Sequence, residues 1–132
     1  MAQPGSQAVE QRIHDNGFME ADADLTTKRF RCVKVTGNYT IGVCTVAGEA
    51  GYGVLQNKPN LGEEANVRDL GVSKIIVGAG GLTANDLWQT DANGAAIVAA
   101  SGDVAMGRVL AGAAATEIAC VTVGFANNPV LA

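Results

Sequence analysis

Between residues 29 and 123 short apolar runs alternate with clusters of Gly, Asn, Asp and Ser, the pattern of strands separated by turns. From Arg29 to Val35, β-branched and aromatic residues alternate with charge. Thr36-Gly37-Asn38 then supplies turn chemistry before a second β-like run from Tyr39 to Val46, so this region predicts a hairpin. A loop over Ala47 to Gly51, a short strand from Tyr52 to Gln56 and a break from Asn57 to Gly62 follow. Ala65 to Arg68 and Val72 to Val77 predict two further strands around Asp69-Leu70-Gly71. Leu82 to Leu87 predicts one turn of helix, with Thr83 as cap and Asp86 at the third helical position. The strongest hairpin signal is Trp88-Gln89-Thr90, Asp91-Ala92-Asn93-Gly94, then Ala95 to Ala99, because Asn-Gly tolerates the positive φ that tight hairpins require. Val104 to Ala111 and Glu117 to Val123 form the last predicted pair, and Asn127 to Ala132 reads as an irregular end.

One internal echo supports two similar hairpins in one barrel or sandwich. Val54-Leu55 precedes Glu63-x-Ala65-x-Val67, and Val109-Leu110 precedes Glu117-x-Ala119-x-Val121. Residues 1–27 stand apart: polar and acidic, broken by Pro4, Gly5 and Gly17, they predict an extended N-terminal arm in which Ala8 to His14 can form one or two helical turns. Residues 28–132 are then the β-rich domain. Phe18 and Met19 are an isolated apolar pair in the arm, suited to insert into a neighbour's groove; the alternative is a disordered tail with an incidental Phe.

Composition narrows the class. The chain is 48% hydrophobic but only 5% aromatic, with 17 Gly, so its apolar content is mostly Ala and Val. Such a core is thin per residue, which makes burial between subunits attractive, while Gly and Ala at this density, with short valine-rich runs, suit tight turns and closely approaching strands and favour an all-β fold. A net charge of -4 argues against general nucleic-acid binding, which needs a basic face. The one basic cluster, Lys28, Arg29, Arg31 and Lys34, reads as a charged, solvated strand edge. Cys32, Cys44 and Cys120 are widely spaced in apolar settings and predict buried thiols without a disulfide. No apolar run reaches the length of a membrane span, and the first residues lack the pattern of a signal peptide, so the expectation is a protein that stays where it is made. The sequon Asn38-Tyr39-Thr40 then carries no meaning.

Candidate chemistry is sparse. His14 is the single imidazole, which leaves no recognisable metal-ligand set and no base paired with Ser6, Ser73, Ser101 or any cysteine, so no metal, cofactor or small-molecule substrate is expected. Gly78-Ala79-Gly80-Gly81 follows a strand as dinucleotide loops do, but Thr83 stands where the third glycine belongs and no long helix follows; it reads as a glycine-rich turn. Glu63 and Glu64 are adjacent and point to opposite strand faces. Trp88, the sole Trp, reads as a core or subunit-interface anchor, with a sugar- or base-stacking platform as the alternative.

Gly53-Val54-Leu55, Gly62-Glu63-Glu64-Ala65-Asn66-Val67, Leu82 to Trp88 with Asp91-Ala92-Asn93-Gly94, and Gly107-Arg108-Val109-Leu110 with Glu117 to Val121 stand in an order that resembles the capsid cement, or head decoration, proteins of tailed bacteriophages. The resemblance covers residues 30–123. It implies a compact β-barrel or β-sandwich, commonly a homotrimer, bound to the outer surface of the virion head, where it stabilises the shell of major capsid protein without catalysis, nucleic acid or membrane. Phe18, Met19, Phe30 and Trp88 are the side chains expected at capsid or subunit contacts. A ligand- or carbohydrate-binding virion module using Trp88 and Tyr52 is the alternative from another class.

Overall fold

The computed structural model describes residues 13–124, and every regular element among them is a β-strand. In chain order these are β1 (His14–Ala21), β2 (Cys32–Gly37), β3 (Thr40–Val43), β4 (Gly53–Leu55), β5 (Glu64–Ile76), β6 (Leu87–Thr90), β7 (Ala96–Val98), β8 (Gly107–Ala111) and β9 (Ile118–Val123). They hydrogen-bond in the order β1-β3-β2-β4-β5-β9-β8-β6-β7, and β1 also pairs with β5. The first five strands therefore close a ring, and β5 carries the sheet onward into the second half. The all-β expectation holds, with a barrel at one end and a folded-over sheet at the other.

Two cores fill these halves. Met19, Ala21, Leu25, Val33, Ile41, Leu55, Ala65 and Val67 pack inside the ring. Cys32, Cys44, Val54, Ile75, Val77, Trp88, Met106, Val109 and Val121 belong to the second core. Successive side chains on a strand point to opposite faces, so Cys32 and Val33, and likewise Val54 and Leu55, send one residue into each core. β2 and β4 are the wall between them.

The N-terminal boundary differs from the sequence expectation. His14–Ala21, assigned to the arm because it is polar, is a stave of the barrel. Its inward positions supply part of the hold: Asn16, Met19 and Ala21 are buried. Polar ties do the rest, since His14 Nδ1 lies 2.6 Å from Asp69, Arg68 grips Asp15 at 2.8 and 3.1 Å, and Asn16 donates to the Tyr52 hydroxyl. Leu25 continues the docking into the barrel core. The helical turn expected over Ala8 to His14 and the irregular end from Asn127 fall outside the described residues, apart from Ile13, which is in no regular element, and His14, which opens β1.

The expected hairpins form. β2 and β3 pair antiparallel across Asn38-Tyr39, and β6 and β7 across Asp91 to Ala95, where Gly94 takes a φ of 76°. The strands expected on either side of Asp69-Leu70-Gly71 are one strand of 13 residues, because Gly71, at a φ of 121°, carries the pairing through the expected break. The internal echo is structural: Leu55 pairs with Val67 in one hairpin and Val109 with Val121 in the other.

One turn design recurs at Val46–Glu49, Asn60–Glu63, Thr83–Asp86 and Ala114–Glu117. In each, the fourth N–H donates to the first carbonyl at 3.0–3.3 Å. The third residue has positive φ: Gly48, Gly62, Asn85 and Thr116 lie between 70° and 80°. The carboxylate of the fourth then accepts the first N–H at 2.6–3.1 Å. This corrects the helix expected over Leu82 to Leu87. The Asp86-to-Thr83 bond of a helix cap is present, but Asn85 at 77° sends the chain into a turn.

Trp88 resolves as a core residue. It is fully buried, and its indole N–H donates to the Thr122 carbonyl at 2.9 Å. A Cβ at Gly107 would collide with that carbonyl, so only glycine lets β8 pass. Replacing Trp88 by Ala should cost about 3–5 kcal/mol of stability through the cavity and the orphaned carbonyl; chemical denaturation reads this directly, and a loss under about 1 kcal/mol would contradict it.

Candidate functional site

Among the described residues, the side chains weighed as candidate chemistry are engaged in structural contacts. His14 is spent on Asp69, which also accepts from the Tyr52 hydroxyl at 3.2 Å, and this network clamps β1 to β5. Burial is the main influence raising the Tyr52 phenol above its ordinary range. Ser73 is buried and bonded to Gln56 and its neighbouring backbone. Cys32 and Cys44 are free and buried with their sulfurs 3.6 Å apart; that hydrogen bond and burial push the Cys32 thiol well above its ordinary range, away from the nucleophilic thiolate. The Gly78–Gly81 segment is a turn latched to β7, its Gly78 N–H donating to the Ala96 carbonyl at 2.7 Å. Glu63 closes a turn through Asn60, while Glu64 begins β5.

The basic cluster is also built into the framework. Arg29 Nε donates to the Gln56 carbonyl and Arg31 to the Asn93 carbonyl, at 3.0 and 2.8 Å. Lys34 pairs with Glu49 at 2.9 Å. Partial burial opposes ionisation of Glu49, but Lys34 and the N–H groups of Val46 and Thr45 outweigh it and hold the carboxyl below its ordinary range.

The four expected contact residues separate. Trp88 lies within the second core and presents no surface for stacking, which removes the platform that the carbohydrate reading needed. Met19 points into the barrel rather than toward a neighbour. Phe30 is half-buried under the Arg29 guanidinium, 4.4 Å from its ring centre. Phe18 alone is largely open, at 68% exposure.

Phe18 is turned outward by the backbone. Asn16 pairs with Val67 and Met19 with Ala65, so β1 carries one extra residue against β5. Such a bulge re-aims the side chains that follow it: Phe18 and Glu20 face solvent while Met19 and Ala21 face the core. The Asn16 carboxamide accepts the Phe18 N–H at 3.0 Å and fixes the bulge. Beside it stands Tyr39, 67% exposed, with its ring edge-on to Phe18 at 6.0 Å. Tyr39 has a φ of 57°, rare for a bulky side chain, and its carbonyl accepts the Glu20 N–H at 2.8 Å. Leu61, 66% exposed, sits on the turn that brings Gly62 to the same edge. Gly17, Phe18, Met19, Glu20, Gly62 and Glu64 line a cleft of about 270 Å³ here. Two backbone irregularities thus converge on an exposed aromatic pair beside an open cleft, the arrangement of an interaction surface.

Sequence reasoning had Phe18 but missed Tyr39, Leu61 and the cleft. Tyr39 was read as the first residue of a strand, and only its place after Gly-Asn in a tight turn signals an outward ring.

No family model matches the chain, and no curated protein matches it. Among solved structures, the fold is similar to the crystal structure of the head fiber gp8.5 N base in bacteriophage phi29. The TM-score is 0.67 at 14% sequence identity, over 86% of this chain and 95% of that one. At that identity the likeness is one of fold.

A positive φ retained by a tyrosine is a strain kept for its side chain. Tyr39→Gly should leave stability unchanged or raise it by up to about 1 kcal/mol, because glycine adopts this conformation freely; a loss above about 1 kcal/mol in thermal or urea unfolding would make Tyr39 a structural residue instead.

Proposed function

We propose that this chain is a structural protein of a phage virion that attaches to the outer surface of the head. There it acts as a decoration or cement subunit on the shell of major capsid protein. The observation that carries the reading is the fold likeness to the base of a phage head fiber, which spans nearly all of both chains. The ordered motifs from Gly53 to Val121 support the same reading, as does the exposed aromatic edge around Phe18 and Tyr39.

The physical demands of the role match the molecule. Attachment to a symmetric shell needs shape and many repeated contacts, because each weak contact gains through multivalency. It needs no nucleophile, cofactor or metal. We propose likewise that the chain works as a homotrimer. Its thin Ala and Val cores and exposed Val46, Val98, Leu110 and Ile118 leave apolar surface for copies of itself.

The test uses heads of the encoding phage assembled without this chain. Purified wild-type protein should add to them in saturating, stoichiometric amounts and raise their melting temperature. Phe18→Ala should fold normally and weaken attachment by about tenfold, the effect of removing one aromatic anchor. Failure of the wild-type protein to bind these heads would overturn the reading.

A further inference from the structure

On the aromatic edge, the β1–β5 register sets Glu20 directly opposite Glu64. Like charges facing each other across a strand pair are destabilising. The ion pairs formed by the described residues engage Asp69, Glu49 and Asp15, and leave Glu20 and Glu64 without a cation. Both carboxylates border the floor of the cleft. A Cβ added at Gly17 would meet the Glu64 carboxyl first, at 3.7 Å, and one at Gly62 would meet Glu20 Oε1, at 3.6 Å. Glu20 and Glu64 are therefore the open acceptors that line this cleft, and the adjoining surface is the Phe18 and Tyr39 ring pair.

We propose that this acid-lined cleft beside the Phe18 ring is the docking site for an arginine side chain on an exposed loop of the protein surface to which the domain attaches. The guanidinium enters between Glu20 and Glu64, and its stem lies against Phe18. Charge complementarity selects the occupant: two unneutralised carboxylates on a chain of net charge -4 call for a cation. Arginine fits better than lysine, because its planar fork can serve two carboxylates at once while its face packs on an aromatic ring. The bulge at Gly17-Phe18 is then the device that brings ring and carboxylates to one face, because without the extra residue Phe18 and Glu20 would turn inward. This assignment rests on the head-attachment reading for the identity of the partner, but the chemistry of the cleft is testable without any capsid.

The experiment is an amide-resonance titration of the full isotope-labelled chain with N-acetylarginine amide, using N-acetylcitrulline amide as the uncharged isostere. The arginine derivative should shift the amides of Gly17 to Glu20 and Gly62 to Glu64 saturably, and the citrulline derivative should not. Glu20→Gln combined with Glu64→Gln should weaken the response by about tenfold, while thermal stability stays level or rises because the repulsion is gone. No response at these amides, an equal response to citrulline, or unchanged affinity in the double variant would overturn the proposal. Sedimentation of the same samples covers the other occupant: self-association of the wild type that the double variant abolishes would assign the cleft to a second copy and overturn the partner assignment. Arginine binding by a protein that fails to attach to heads would sink the attachment reading alone, and attachment without arginine binding would sink the cleft alone.

Discussion

The structure depends on one strand serving two sheets. β5 runs for 13 residues; its first half pairs with β1 and β4 to close the barrel, and its second half pairs with β9. Its inward side chains change cores along the way, Ala65 and Val67 filling the barrel and Ile75 the second core. Gly71, at a φ of 121°, lies at the crossover, where a side chain would resist the change of direction. If β5 were two strands with a loop, the halves would share only the β2–β4 wall. As one strand, it sets the register of both, and the β4–β5 and β8–β9 hairpins lie on either side of the β5–β9 pairing.

That constraint decides what the N-terminal strand must do. The barrel lacks closure without β1, which reaches β3 on one side and β5 on the other. β1 is too polar to be held by burial alone, and side-chain bonds from His14, Asp15 and Asn16 supply the remainder. The same strand must place Met19 and Ala21 inside, and the bulge that achieves this puts Phe18 and Glu20 outside. The exposed aromatic edge is thus a consequence of how the barrel closes. The acidic pair opposite it follows from the same register.

The hairpins were legible because their turns carry local chemistry: Thr36-Gly37-Asn38 and Asp91 to Gly94 dictate chain reversal wherever they occur. The repeated Glu-x-Ala-x-Val marked two similar hairpins, as read; that its Glu closes each turn with a carboxylate is visible only in the structure. β1 was illegible because only three of its side chains are buried and its partners lie as far away as Asp69. The helix misread at Thr83 shows the limit of a cap signature, which a left-handed residue at Asn85 converts into a turn. Of the site, Phe18 was visible as an apolar residue in a polar tail. Glu20, Tyr39 and Glu64 join it only through strand pairing and the β2–β3 turn, which no local pattern encodes.

The proposed role makes one spatial demand, that the two-core domain sit on the outside of a phage head with the β1 edge and the β2–β3 turn toward the shell. An electron cryomicroscopy reconstruction of intact heads, compared with heads assembled without this chain, tests it most directly. Added density is expected on the outer face, into which the barrel fits with Phe18, Tyr39 and the Glu20–Glu64 cleft against capsid protein. Heads without such density, or density that places this edge in solvent, would contradict it.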